Sequence, residues 1–155
     1  MHLDRSGAAT VAYPFSGTPT RHRVELPGRP PVWAMCAVDA LGLPRMTGQN
    51  AQITSTDPHT GDPIRVEVVG ATWAWRPTAA VVLLGCTRTA DGPSSCCTCP
   101  HINFHVDHAH AAAYLADHPE LAGQIVDQIT AVDIAGRTFG PLLRPSRSTP
   151  PTVVN

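Results

Sequence analysis

Apolar and polar positions divide the chain into short elements. From Arg21 to Leu26, Val24 and Leu26 fall on one side, which predicts a short strand. Pro27 to Pro31 reads as a turn, because Pro30-Pro31 disfavours helix in the residues before it. Val32 to Leu41 (VWAMCAVDAL) is almost wholly apolar and rich in helix formers, with Pro31 suited to a first helical position. That predicts a buried helix which Gly42 and Pro44 end. Gln49 to Ser55 and Ile64 to Val69 predict two strands around the polar turn Asp57-Pro58-His59-Thr60-Gly61-Asp62. Ala79 to Gly85 predicts a buried strand, Asp91 to Pro100 a loop, and His101 to Val106 an alternating strand. Asp107 to Asp117 predicts a helix stopped by Pro119, and a second C-terminal helix falls within Ile125 to Leu143. The mixture predicts an α+β fold. Its core is a mostly antiparallel sheet packed with one buried helix and two C-terminal helices.

With 155 residues the chain fits one domain. Residues 1–20 are small, polar and rich in Gly and Pro, which predicts a flexible arm. Residues 21–143 form the expected domain, and 144–155 a disordered Pro/Ser/Thr tail. Hydrophobic residues are 43% and charged residues 15%, a globular balance. Net charge is −1, so no basic excess is available for a nucleic-acid backbone or an anionic membrane. All 11 basic residues are Arg, which excludes Schiff-base and P-loop lysine chemistry. The longest apolar run, Ala79 to Cys86, is far shorter than the ~20 residues of a membrane helix. Residues 1–20 lack the apolar stretch of a signal peptide, so a cytoplasmic location is expected.

Five cysteines change the picture. Cys36 and Asp39 stand three apart on the expected buried helix, which puts both on one face with Cβ atoms about 5–6 Å apart. A carboxylate there is costly unless paired or protonated, and burial makes it a usable proton donor near neutrality. Packing alone would also explain a helical Cys. On this reading Cys36 lies beyond the first helical turn, where the helix dipole has faded. Cys96, Cys97 and Cys99 crowd four positions ahead of His101. Their spacing is too tight for a structural zinc site and suits a soft cation such as Cu(I) or Hg(II). His105, His108 and His110 read as solvated rather than metal-binding, Cys86 as core, and Trp33, Trp73 and Trp75 as packing. Arg21 and His22 suggest no mechanism.

Taken together, several runs resemble the alkylmercury (organomercurial) lyase family. They are Pro19-Thr20-Arg21-His22-Arg23-Val24, Trp33-Ala34-Met35-Cys36-Ala37-Val38-Asp39-Ala40-Leu41, and the strand–turn–strand ending in Thr60-Gly61. Cys99-x-His101-Ile102-Asn103-Phe104 and Phe139-Gly140-Pro141-Leu142-Leu143, similar to the family's closing helix, complete the set. The resemblance covers roughly residues 13–143. It implies cleavage of carbon–mercury bonds by two Cys and one Asp without an added cofactor. By position these are Cys36, Asp39 and Cys99, with Cys96 and Cys97 as substitute thiols and further metal ligands. His105 stands where the family often has a second Phe, and Asp57 near a position where it often has a structural Cys. The resemblance further implies a short form without the N-terminal winged-helix-like domain, its pocket more open or closed by a second subunit in a homodimer. It implies a small organometal substrate and product hand-off to a mercuric reductase or cellular thiols. The competing readings are a non-catalytic Cu/Hg-binding protein, a same-fold Cys/Asp enzyme of a biosynthetic pathway, and a structural zinc domain.

Overall fold

A computed structural model describes residues 2–3, 9–12, 14–88 and 99–141. Among them, the strands form two antiparallel sheets. The larger sheet contains β1 (His2–Leu3), β2 (Ala9–Ala12), β3 (Phe15–Ser16), β4 (His22–Glu25), β5 (Val32–Ala34), β6 (Ala51–Thr56), β7 (Pro63–Val69) and β8 (Thr72–Arg76). Their spatial order is β1-β2-β3-β5-β4-β6-β7-β8. The smaller sheet has β9 (Val81–Thr87) at its centre, flanked by β10 (Ile102–His105) and β11 (Leu121–Val126). Three helices complete the α+β fold: α1 (Ala37–Thr47), α2 (His108–Asp117) and α3 (Gln128–Phe139).

Period-two burial sets the large sheet's inner face. Ile64, Val66 and Val68 of β7 point inward beside Ala51 and Ile53 of β6, while Pro63, Arg65, Glu67 and Val69 face out. The inner face meets α1, whose residues from Ala37 to Pro44 are all buried. Helix α3 then covers α1. A Cβ at Gly42 would run into the Phe139 ring, so this position tolerates no larger residue without repacking.

The predicted helix over residues 32–41 is thus corrected. Val32 to Ala34 is strand, with Trp33 opposite Arg23 on one side and Ser16 on the other. A β-branched and an aromatic residue between two partner strands gain more from sheet pairing than from an isolated turn of helix. The helix starts after Cys36 and runs past Gly42 and Pro44. Gly42 serves a close helix–helix contact rather than a C-cap. The actual stop is Gly48, left-handed at φ 66°, whose N–H bonds the Pro44 carbonyl at 2.9 Å.

Besides β5, strands β8 and β11 escape the sequence pattern. Trp73 and Trp75 lie on β8, where Trp75 faces Val66, and β11 carries Gly123 and Gln124, poor strand formers that pair along β9. The expected arm over 1–20 contributes β1, β2 and β3 to the large sheet's edge. Phe139 ends α3, so the Phe139-Gly140-Pro141 run closes that helix rather than forming it, and Leu142 and Leu143 lie outside the described residues. Residues 144–155 also lie outside them.

Candidate active site

Cys36 sits where β5 hands over to α1. Its backbone is extended, and its Sγ accepts the Asp39 N–H at 3.4 Å, so it is the helix N-cap. This overturns the expectation that Cys36 lies beyond the reach of the helix dipole. The thiol stands at the positive end of α1, in line with an orphan N–H. Asp39 occupies the first turn, completely buried. Cys99 opens the 3-10 turn Cys99–His101 that leads into β10 and is 5% exposed. That turn packs tightly on β9: a Cβ at Gly85 would lie 2.5 Å from the His101 carbonyl oxygen.

One sulfur of Cys36, one of Cys99 and a carboxylate oxygen of Asp39 all lie within 4.8 Å of one another. Residues from opposite halves of the chain therefore share one buried point. The two thiols interact strongly. Cys36 is pushed well above the usual thiol range, first by its hydrogen bond to Cys99, then by burial and by the Asp39 charge. Cys99 is pushed down, chiefly by that same hydrogen bond. Cys99 is therefore the thiol that ionises first, and Cys36 the one that keeps its proton. The helix N-terminus opposes the rise at Cys36, and the thiolate next door outweighs it.

A cleft of about 450 Å³ opens onto Cys99. Thr20, Arg21, His22, Met35 and Asn103 are among its walls. Such a space admits a small molecule to the Cys99 sulfur while Cys36 and Asp39 stay out of water behind it. Two soft sulfur donors and one carboxylate suit a thiophilic ion such as Hg(II) or Cu(I).

Of the predicted site residues, the structure joins Cys36, Asp39 and Cys99. Cys96 and Cys97 lie outside the described residues. Cys86, expected in the core, is half-buried. The expectation of solvated histidines holds for His108, which is exposed, but not for His105, which is fully buried. Its Nδ1 lies 3.2 Å from Asp57 Oδ1. His110 is half-exposed and paired with Asp107 at 2.7 Å. His22, dismissed with Arg21 in the sequence, lines the cleft and is 2% exposed. The signal was present: His22 shares the parity of Val24 and Leu26, which marks an inward position on β4. Asn103 was likewise missed, and its alternation on β10 carries no such mark because both faces of that strand are covered.

The alkylmercury lyase (MerB) family model matches residues 15–140. An alkylmercury lyase of Staphylococcus epidermidis is 31% identical over 123 residues, 77% of this chain and 55% of that protein. One from Bacillus cereus is 31% identical over 150 residues, 95% of this chain and 65% of that protein. The chain thus spans between half and two-thirds of the length of these relatives. The structure of the mercury-bound form of MerB2 superposes with a TM-score of 0.79 at 26% identity, covering 92% of this chain and 68% of that one. Family match, fold and the convergence of two thiols on one buried acid agree: the chain belongs to the alkylmercury lyase family.

Proposed function

We propose that this protein cleaves carbon–mercury bonds by protonolysis, with Cys36, Cys99 and Asp39 as the catalytic residues. The observation that carries the reading is the meeting of both sulfurs and the Asp39 carboxylate within 4.8 Å. The substrate is an organomercurial R–Hg–X, with X a thiolate or halide. It enters by the cleft that Cys99 lines. The Cys99 sulfur, the more readily ionised of the pair, bonds to mercury and displaces X, which carries off the first proton. Asp39 accepts the proton of Cys36 as that sulfur closes on the metal. Two thiolates on mercury push electron density onto the attached carbon. Asp39 delivers its proton to that carbon as the Hg–C bond breaks, giving R–H and a bis-thiolate Hg(II). Two thiol protons are consumed, one by X and one by R. No redox change occurs and no added cofactor is needed. Exchange with cellular thiols or a mercuric reductase would then remove the metal. A cytoplasmic setting, where thiols stay reduced, suits two adjacent free cysteines.

The test is incubation with methylmercury chloride, scoring methane by gas chromatography and protein-bound Hg by mass spectrometry. Wild type is expected to release methane and retain Hg(II), and Cys36→Ala to release none. Stoichiometric mercury uptake without methane would make the protein a soft-metal binder instead.

A further inference from the structure

Cys99 must hold its place beside Cys36 for the two sulfurs to engage one metal, yet it sits on a short turn rather than within a helix or strand. A hydrogen-bond chain through the core reaches that turn. It begins at Ser55 of β6, whose Oγ lies 2.9 Å from His22 Nδ1. The His22 ring in turn interacts with the Asn103 side chain, which draws its pKa upward as an acceptor would. Asn103 Nδ2 donates to the carbonyl of Pro100 at 2.8 Å, the residue directly after Cys99. All three side chains are buried, at 6%, 2% and 4% exposure.

The direction of the chain follows from chemistry. Asn103 donates one of its two Nδ2 hydrogens to Pro100, and its upward pull on the His22 pKa marks Oδ1 as the atom that faces the ring. The imidazole must then donate from Nε2, which leaves Nδ1 as the acceptor of the Ser55 hydroxyl. That requires a neutral ring. Burial holds His22 down to about 3, with Arg21 adding to the effect, so the ring carries no charge at neutral pH. The edge of Phe104, 5.6 Å away between ring centroids, fixes the ring's orientation. Three strands remote in sequence thus converge on one carbonyl beside the Cys99 sulfur.

We propose that His22 is a positioning residue which, through Ser55 and Asn103, holds the Cys99 turn at the distance where both thiols can engage one metal. The proposal deepens the reading above, since it rests on Cys99 being the second mercury-binding thiol. A chain of satisfied buried hydrogen bonds has the rigidity this task needs, and a site loosened by about 1 Å loses much of its rate.

His22→Phe keeps a ring beside Phe104 and deletes both hydrogen bonds. Two measurements decide. The first is dibromobimane bridging of Cys36 to Cys99, identified by peptide mass spectrometry, which needs no organomercurial. Bridging is expected to fall about tenfold relative to single labelling of Cys36, without loss of the cooperative melt. The second is methane release from methylmercury chloride: kcat is expected to fall about 10- to 100-fold with little change in KM, because capture precedes the step that needs both sulfurs. His22→Gln, which keeps a donor and an acceptor, is expected to restore most of both. Unchanged bridging in folded His22→Phe overturns the proposal. So does a rise in KM alone, which would make His22 a cleft contact, or a Gln variant no better than Phe. If His22→Phe does not fold, Ser55→Ala decides, with a smaller loss of bridging expected and no loss fatal. A wild type that bridges its thiols but releases no methane would sink the organomercurial reading and leave the positioning result standing.

Discussion

Among the described residues two carboxylates, Asp39 and Asp57, are fully buried, and their surroundings differ in kind. Asp57, at the turn after β6, is enclosed by donors with fixed places. Its Oδ1 accepts the His59 N–H at 2.8 Å and faces His105 Nδ1, and its Oδ2 accepts the Val106 N–H at 2.9 Å. It pins the β6–β7 turn to the far end of β10. Asp39, equally buried, lies within 4.8 Å of two thiol sulfurs. One acid is surrounded by backbone amides that cannot leave, the other by thiols that can exchange a proton or a metal. Burial alone does not single out the acid of the proposed protonolysis; the lability of its neighbours does.

The contrast makes its strongest claim on activity. Asp39→Asn keeps the shape and removes the proton relay, so methane release is expected to drop by at least about 10³-fold while the urea midpoint stays close to wild type. Asp57→Ala should behave in the opposite way. It strands two backbone N–H groups and a buried imidazole, at a cost of about 3 kcal/mol in urea unfolding, while the folded fraction still turns over. If instead Asp57→Ala abolished turnover at full stability, the division between the two acids would collapse.

A pH titration sharpens the structural side. His22 is held at about 3 and His105 is lowered by burial against the opposing pull of Asp57, both from 6.5 when unfolded. As pH falls below about 6.5, the unfolded chain takes up protons that the folded chain refuses, so unfolding becomes easier. Stability is fully present above that value and declines down towards pH 3. Urea midpoints measured from pH 8 to 4 are expected to fall only on the acid side, and less steeply in His22→Phe. A flat profile would mean that neither ring is held neutral by the fold. The smallest effect belongs to a thiol in neither region. Cys86→Ser, half-buried on β9, is expected to leave methane release within about twofold and stability within about 1 kcal/mol. A large loss there would implicate a third sulfur in the chemistry.

Much of the architecture follows from local pattern. Strands β4, β6, β7, β9 and β10 and helices α2 and α3 all lie where alternation, helix formers and breakers place them. The element that matters most for the site did not. Residues 32–41 are apolar and mostly helix-forming, but partner strands on both sides claim Val32 to Ala34, and this moves Cys36 from mid-helix to the N-cap. Propensity is a property of neighbours in sequence, and pairing partners such as Arg23 and Ser16 are not among them.

By itself, then, the amino-acid sequence determined which chemistry was on offer: two separated thiols, one acid on the apolar segment, and motifs resembling a single family. Residue type and spacing carry that much because reactivity is intrinsic to the side chain. Only the tertiary structure decided that Cys99, Cys36 and Asp39 meet within 4.8 Å, that Asp57 is held by backbone amides, and that His22 lines the cleft onto Cys99. These depend on distances between strands far apart in the chain, which packing sets and local sequence does not encode.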